Sequence, residues 1–354
     1  MKKKIKVFLG AYINQSNAQN LVCLTLAKNL NKEKFEVFTL LINHGNFGKI
    51  KLSGVNTFNC YYPVKLTQFL GYLWGIFNCD VAYLPRGNNF RYQKVLLKLF
   101  NKKSFKTTDN IIDEESLLTA LAIFPNLQTV YDSYTFTDKL FAITDYMKKY
   151  NTEKHGFKYA TTILPAPTDI DSFRFKRNEV EQVKEVVFMG NDMKRKGVID
   201  FLNLALDYKS ITFHVIGKDE NKIAPKFMHE HNSENIILHG LLNYSQISEI
   251  LKTCQLHILP SRSEGFPMAI IITAASSIPS LTYTGYGAEE WIDNYKNGVV
   301  CTDFSDMKVA FNSYINNQSL LFENMQNASA MAEKFSPQSV TKLYENVIID
   351  LYNA

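Results

Sequence analysis

The chain has 354 residues, 46% hydrophobic and 21% charged, which fits a soluble globular protein with more than one domain. Its formal charge of +5 allows an anionic ligand or a membrane surface but is too small to indicate nucleic acid. Five scattered cysteines without a CxxC pair indicate reduced thiols in the cytoplasm and no zinc site. The basic start is followed by a short apolar run ending at Gly10, which predicts a first strand rather than a signal peptide. No stretch is long enough to span a bilayer.

The first half alternates short apolar runs with helical patterns. Buried parallel strands are mostly apolar, and strand–helix repetition with short links is typical of an α/β doubly wound sheet. Predicted strands cover residues 5–10, 35–42, 55–62, 81–84, 105–108 and 129–134, and predicted helices cover residues 17–30, 66–77, 90–100, 114–124 and 138–150.

A proline-rich linker separates this series from a second one. Pro165 and Pro167, followed by a charged stretch at residues 174–185, mark a domain boundary. We predict two Rossmann-like doubly wound domains, residues 1–165 and 166–335, with a default ligand site in a cleft between them. A last helix begins with Ser336 as N-cap and Pro337 in its first turn, and residues 336–354 are expected to cross back to the first domain. Predicted strands of the second series cover residues 186–190, 211–217, 236–240, 256–260, 279–284 and 298–301, with helices at residues 197–206, 224–231, 244–252, 268–275 and most of 307–334.

A basic loop connects the first strand and helix of the second series. Lys194, Arg195 and Lys196 lie just before the predicted helix, where cations oppose the helix dipole. The pattern therefore favours a bound anion such as a diphosphate, held by these cations and the free N–H groups. A solvated basic loop explains the same residues and stays open as an alternative.

A polar, Gly-containing elbow at residues 261–267 lies between another predicted strand and helix. Such elbows hold the ligand site in open α/β sheets, and the helix start suits a phosphate. Glu264 in this elbow is expected to contact an uncharged part of the ligand, such as sugar hydroxyls. A capping glutamate on a turn is the alternative.

The order of these motifs resembles the C-terminal half of retaining glycosyltransferases of the GT-B fold, in family 4 (glycosyl transferases group 1). The resemblance covers residues 160–350, whereas in the N-terminal half it is topological, with residues 16–19 where the family carries a Gly-rich turn. The motifs are the linker at residues 164–169, Phe188-Met189-Gly190 with Lys196-Gly197, Phe213 to Gly217, Ile236 to Gly240, Leu259 to Phe266, Gly287 to Ile292, and Lys296-Asn297-Gly298.

This resemblance implies transfer of a sugar from a nucleotide-sugar, most simply UDP- or GDP-linked, with retention at the anomeric carbon. It implies that the C-terminal domain binds the donor and that the N-terminal domain binds a glycan or lipid-linked acceptor in surface polysaccharide or glycoconjugate biosynthesis. Because the leaving diphosphate gains negative charge, cations are expected to hold it and no metal or other cofactor is expected.

The resemblance also assigns residues to the donor site. Lys196 matches the family's phosphate-binding lysine, and Glu264 matches the glutamate that contacts the donor sugar. Backbone amides at the helix start are expected to assist, except at Pro267, which has none. Glu290 matches a weaker glutamate for which a structural role is equally open. The predicted donor contacts are Asn191, Arg195, Lys196, Arg262, Gly265, Phe266, Met268, Glu290 and Gly10.

The chain departs from the family pattern at three places. Ile272 stands where a second glutamate contacts the nucleotide ribose, and Asn191 stands where the family has an arginine that Arg195, Lys194 or Arg262 would replace. The N-terminal histidine of the family has no match. Asp109, or Asn110 beside it, takes that place as a candidate catalytic contact to the sugar, although we favour a helix cap for Asp109.

Two further patterns have competing explanations. Asp169-Ile170-Asp171 looks like a metal-binding DxD motif, but its place in the linker argues against a metal. The aromatic stretch at residues 61–74, with Lys65 and the distant Lys102 and Lys103, fits either a peripheral contact with the inner membrane surface or a core helix.

Three functions follow from these patterns. An active glycosyltransferase is the main hypothesis. A non-catalytic nucleotide-sugar-binding partner subunit is suggested by Ile272 and Asn191, and a sugar-nucleotide epimerase shares the two-domain architecture.

Overall fold

The computed structural model describes residues 3–15, 17–45, 48, 50–85, 87–175, 177 and 182–354. The chain forms two compact units, Met1–Pro167 with Pro337–Ala354, and Thr168–Ser336. Each unit contains one parallel six-stranded sheet. The predicted α/β class with two doubly wound domains is therefore confirmed. Ser16, in the segment compared with the family's Gly-rich turn, lies outside the described residues.

The first unit begins with a buried strand and has a sheet with the strand order β3-β2-β1-β4-β5-β6. Its strands are β1 (Ile5–Tyr12), β2 (Phe35–Ile42), β3 (Val55–Cys60), β4 (Val81–Tyr83), β5 (Lys103–Thr108) and β6 (Lys139–Ala142). Its helices before the second unit are α1 (Ala18–Asn29), α2 (Val64–Asn78), α3 (Phe90–Leu99), α4 (Glu114–Leu121), α5 (Leu127–Thr135) and α6 (Asp145–His155).

The second unit repeats the architecture, with the strand order β12-β11-β10-β7-β8-β9. Its strands are β7 (Glu185–Met189), β8 (Thr212–Ile216), β9 (Ile236–Gly240), β10 (Leu256–Leu259), β11 (Ser280–Tyr283) and β12 (Gly298–Cys301). Its helices are α7 (Val198–Asp207), α8 (Ile223–His231), α9 (Tyr244–Leu251), α10 (Met268–Ala275), α11 (Phe304–Asn316) and α12 (Gln318–Ala332), and α13 (Pro337–Asn353) follows it.

The strand order fixes where a ligand site can form. In the second unit β7 lies between β8 and β10, so the chain leaves β7 in one direction and later returns to its other side. Strand order reverses at this point, and the loops after β7 and β10 border a crevice at the carboxyl ends of the strands. The basic loop and the polar elbow are these two loops.

The last helix, α13, packs with the first unit against α1, β1, β4 and β5. Tyr344 on α13 is fully buried, and its ring centroid lies 5.6 Å from that of Tyr83 and 6.2 Å from that of Phe105. The predicted return of the C-terminal helix to the N-terminal domain is therefore confirmed. The first and last residues of the second unit lie close together, because the Thr168 N–H donates to the Phe335 carbonyl at 2.9 Å.

One predicted strand is wrong. Residues 129–134 lie in α5, and the strand that follows is β6, inside the segment predicted to be a helix. Asn126 begins α5 by accepting from the Thr129 N–H at 2.9 Å, and burial of Thr129, Val130 and Ser133 follows helical spacing. The β-branched and aromatic side chains of this segment suggested a strand, but the N-cap and the buried helix face decide its structure.

The described part of the chain contains no helix with the length and apolar character needed to cross a membrane. All five cysteines are buried and free.

Candidate active site

Two loops of the second unit meet at the carboxyl ends of β7 and β10. Gly197, which begins α7, has φ of +73°, and a Cβ there would lie 2.0 Å from the Pro260 carbonyl oxygen. Only glycine permits this approach of the basic loop to the polar elbow.

The Lys196 side chain extends from the basic loop to the polar elbow. Its aliphatic stem covers Gly190, where a Cβ would lie 2.1 Å from the Lys196 Cδ atom. The ammonium donates to Oε1 of Glu264 at 2.6 Å. The structure therefore brings together the two residues that the sequence ranked first for donor binding.

Glu264 is nearly buried, with 6% of its side chain exposed, and two cations face it. Besides Lys196, the Arg195 guanidinium lies 3.6 Å from Oε1 of Glu264 and donates to the Ser263 carbonyl. On its other side, Nε of Arg195 lies 3.1 Å from Oδ2 of Asp192. Because burial of a charge is costly without a partner, the two cations explain how a carboxylate is tolerated here. The alternative of a capping glutamate does not fit these contacts.

The start of α10 adds backbone donors. Within the described chain, the N–H groups of Gly265 and Phe266 have no acceptor, and α10 has no acidic residue in its first turn. Free amides at a helix start attract anions. The Met268 amide, also predicted to assist, donates to the Phe266 carbonyl at 2.9 Å.

The remaining predicted donor residues of this unit have other contacts. Asn191 accepts from the Lys218 N–H at 3.1 Å and so joins the ends of β7 and β8. Arg262 is 71% exposed, with its guanidinium 4.9 Å from the centre of the Tyr283 ring and 3.8 Å from Asp200. Glu290 is exposed at the end of a short 3-10 turn.

Gly10 is a packing position in the structure. It lies inside β1, its carbonyl accepts from the Tyr72 hydroxyl at 2.9 Å, and a Cβ there would lie 2.5 Å from Leu84. Close packing against these two side chains accounts for the glycine.

Asp109 follows β5 at the carboxyl edge of the first sheet. The favoured role as helix cap is wrong, because Asp113 caps α4 by accepting from the Ser116 N–H. Asp109 instead accepts from Gln19 Nε2 at 3.0 Å. Burial raises the pKa of the Asp109 carboxyl, while the positive charge of Lys106 and the bond from Gln19 oppose this shift.

Lys106 is a buried cation that the sequence analysis missed. Only 3% of the residue is exposed, and Nζ donates to the Pro85 carbonyl at 2.8 Å, with the Tyr134 and Phe136 rings 5.6 and 5.7 Å away. Burial lowers the pKa of this ammonium to about 8, and Asp109 opposes the shift. A lysine within a buried strand was the available signal, since an unpaired ammonium is rarely buried.

Two more residues lie near the basic loop and the polar elbow. Ile272 is buried on α10, so the missing carboxylate is replaced by a core side chain. His257 on β10 is fully buried, and its Nδ1 lies 2.9 Å from the Ser280 hydroxyl. Burial and the nearby Lys196 charge lower the pKa of His257 to about 3, so His257 is neutral near pH 7 and does not act there as a proton donor.

Within the described residues, a group of three metal-ligating side chains lies elsewhere, at Glu185 at the start of β7, His214 on β8 and Cys254 before β10. Asp171 of the DxD-like segment pairs with Arg174 at 2.8 Å. The arrangement of Lys196, Arg195 and the free amides can bind a diphosphate without a metal.

The second unit matches the family model for glycosyl transferases group 1. The match covers residues 169–334, nearly the whole of the unit Thr168–Ser336. The match confirms the predicted resemblance to glycosyl transferases group 1 over this unit.

Two curated relatives match about half of the chain. An uncharacterized glycosyltransferase of Methanocaldococcus jannaschii is 30% identical over 169 residues, 46% of this chain and 48% of the relative. The alpha-galactosylglucosyldiacylglycerol synthase of Streptococcus pneumoniae is 26% identical over 170 residues, 45% of this chain and 44% of the relative. The chain thus spans less than half the length of each of these two relatives.

A solved structure matches over both units. The structure of Anabaena HepE in complex with UDP has a TM-score of 0.77 and 13% identity, covering 98% of this chain and 100% of that one. At this identity the comparison shows the fold, which is the GT-B fold.

Proposed function

We propose that this protein is a retaining glycosyltransferase that moves a sugar from a UDP- or GDP-linked donor to a glycan or lipid-linked acceptor. The observation that carries the proposal is the contact of Lys196 and Arg195 with the nearly buried Glu264 beside free amides at the start of α10. The match of this unit to glycosyl transferases group 1 supports it.

The geometry supports a division of labour between the cations and the carboxylate. When a diphosphate binds, Lys196 and Arg195 donate hydrogen bonds to the phosphate oxygens. The backbone N–H groups of Gly265 and Phe266 donate to these oxygens as well. Glu264 then accepts from sugar hydroxyls. As the bond from the anomeric carbon to the phosphate oxygen breaks, negative charge grows on the diphosphate, where these cations stabilise it. The acceptor hydroxyl bonds to the anomeric carbon on the same face, and its proton passes to the leaving phosphate oxygen.

We assign the acceptor to the first unit, where Asp109 follows β5 and is the candidate catalytic contact to the transferred sugar. The pneumococcal relative is named for a glycolipid product, which supports a lipid-linked acceptor in surface polysaccharide or glycoconjugate synthesis. The donor site works without a metal in this proposal.

A lipid-linked acceptor places the protein at the inner face of the membrane, and α2 offers a surface for it. Leu66, Leu70 and Phe77 on this helix are 57%, 41% and 59% exposed, and an apolar groove of about 450 Å³ lies beside Leu70 and Phe77. Only Gly71, Tyr72, Gly75 and Ile76 of α2 are buried. The helix thus has an apolar face toward the core and another toward solvent, and exposed lysines such as Lys65 and Lys103 favour an anionic surface.

A donor panel tests the proposed reaction. The purified chain is incubated with UDP- and GDP-sugars, and products are followed by mass spectrometry. Slow donor hydrolysis or transfer to an added lipid-linked acceptor is expected. Binding without turnover would favour the non-catalytic subunit that Ile272 suggests, and an altered sugar still joined to its nucleotide would favour an epimerase.

Glu264→Gln tests the role of the carboxylate. The amide keeps the size of the side chain but accepts hydrogen bonds more weakly, so turnover should fall by at least about a hundredfold while the far-UV spectrum is unchanged. Glu249→Gln, at an exposed surface ion pair with Lys252, is the matched control and should keep full turnover. Undiminished turnover of Glu264→Gln would reject the assigned role.

Vesicle co-sedimentation tests the membrane surface. The wild-type chain should sediment with anionic phosphatidylglycerol vesicles and much less with neutral phosphatidylcholine vesicles. Leu70→Glu should abolish the binding, whereas Leu343→Glu, at a similarly exposed leucine on α13, should retain it. Equal binding of both variants would contradict a role for α2.

A further inference from the structure

A second cluster of reactive side chains lies in the second unit, away from the donor loops. Glu185, His214 and Cys254 each offer a ligand atom, and these atoms lie within 4.8 Å of one another. Glu185 begins β7, and β7 separates it from Gly190 by five residues, about 16 Å along a strand. The cluster is thus at the opposite end of the sheet from the basic loop.

We propose that Glu185, His214 and Cys254 bind a zinc ion, with solvent as the fourth ligand. One carboxylate oxygen, one imidazole nitrogen and one thiolate form a mixed ligand set that zinc accepts readily. Ligand atoms of a tetrahedral zinc ion lie about 3.3 to 3.7 Å apart, so the cluster needs only a small contraction. The proposed site is independent of the proposed sugar transfer.

The residues around the three ligands are arranged to orient them. His214 Nε2 lies 3.0 Å from Oε2 of Glu185, and a metal ion there would replace the proton that these atoms share. His214 Nδ1 lies 2.9 Å from His239 Nε2, with the two rings nearly parallel at 19°. His214 Nδ1–H can then donate to His239, as a ligating histidine usually donates from its other nitrogen. The Thr253 hydroxyl also donates to Glu185.

Charge and access also fit a metal ion. A thiolate and a carboxylate together balance the two charges of zinc, so the loaded site is neutral and suited to a buried position. Burial and the Glu185 charge raise the pKa of the Cys254 thiol, while Arg177, which donates to the Leu251 and Cys254 carbonyls, opposes this shift. A cation bound at the sulfur favours the thiolate. Cys254 is fully buried and the His214 side chain is 9% exposed, while that of Glu185 is 32% exposed and leaves a route from solvent.

The absence of a CxxC pair predicted no zinc site because that argument considers ligands adjacent in sequence. Here the ligands come from the start of β7, the middle of β8 and the turn before β10. Parallel pairing of β7 with both neighbours brings them together.

Cobalt substitution tests the site directly. Chelator-treated protein titrated with Co²⁺ should develop a near-ultraviolet thiolate-to-cobalt band that saturates at one ion per chain and disappears when Zn²⁺ is added. Cys254→Ser should lose the band. Cys301→Ser, at another buried cysteine of the same unit, should keep it. No band in the wild type, or a band that survives in Cys254→Ser, would overturn the proposal.

Two measurements remain informative if Cys254→Ser folds poorly. Glu185→Gln preserves the hydrogen-bonding shape but removes an anionic ligand, so its Co²⁺ affinity should fall at least about tenfold. Zn²⁺ should also raise the melting temperature of the wild type and of Cys301→Ser, because a metal that binds only the folded chain stabilises it. Unchanged affinity in Glu185→Gln, or no rise in melting temperature in the wild type, would count against the site.

Discussion

Lys196 is the residue to which the proposed function gives the main contact with the donor phosphates. Its side chain is 15% exposed, and its ammonium contacts a nearly buried carboxylate at 2.6 Å. Lys196→Ala should weaken UDP-sugar binding at least about tenfold in calorimetry, because a charged contact to the phosphates is lost. Lys252→Ala, at an exposed ion pair of the same unit, is the control. A dissociation constant unchanged by Lys196→Ala would remove this residue from the donor site.

The buried Lys106 leads us to predict how the unfolding free energy depends on pH. Its folded-state pKa of about 8 lies below the usual 10.5, so between these values the unfolded chain binds more protons than the folded chain. The unfolding free energy should therefore rise with pH across this window, by up to about 3 kcal/mol from this group. Denaturant unfolding of the wild type and of Lys106→Met, measured across this pH window, checks this. All other groups titrate in both proteins, so the difference between the two pH profiles reports on Lys106. Parallel pH profiles for the two would contradict the assignment.

At the residue scale, sequence motifs predicted Lys196 and Glu264 as partners in one site because each lies in its own loop after a strand. They did not predict Lys106 with Asp109, or Glu185 with His214 and Cys254. Glu185, His214 and Cys254 meet only through pairing of strands far apart in sequence, which no local pattern marks. Lys106 and Asp109 are three residues apart, and the signal for them was a lysine within a buried strand.

At the scale of elements, the contact between the basic loop and the polar elbow depends on Gly197. Gly197→Ala combines an unfavourable positive φ with a Cβ placed 2.0 Å from the Pro260 oxygen. Gly240→Ala is a close control, because its φ of +67° is similar and nothing lies within 4 Å of the new Cβ.

We expect Gly240→Ala to cost about 1 to 2 kcal/mol of unfolding free energy, the usual cost of the left-handed conformation. Gly197→Ala should cost clearly more and should also weaken donor binding, since Lys196 is the preceding residue. Thermal unfolding and calorimetry measure both effects. Equal losses in the two variants would show that the loops do not meet as described.

Most elements were predictable because buried parallel strands are apolar over their whole length and the connections are short. The exception at α5 shows the limit. Its segment has β-branched and aromatic residues suited to a strand, and only the cap from Asn126 and burial of one helix face reveal a helix. A single sequence does not display which face will be buried.

At the scale of the whole molecule, α13 belongs to the first unit although the chain reaches it through the second. A chain ending at Ser336 should therefore lose protection from amide hydrogen exchange in β1, β4 and β5, where α13 packs. Strands β7, β8 and β10 should keep their protection. Tyr344→Ala, which removes a fully buried ring, is a milder version that should give the same pattern. Equal loss of protection in both sheets would contradict this division.

The hydrogen bond from Thr168 to the Phe335 carbonyl has a consequence for how such chains can diverge. It places the entrance and the exit of the second unit side by side, so residues 168–336 form a cassette with adjoining ends. Homologous recombination could exchange this cassette as one piece, with both crossovers at neighbouring positions in the fold. A chimera made that way inherits the basic loop and the polar elbow from one parent and both chain termini from the other.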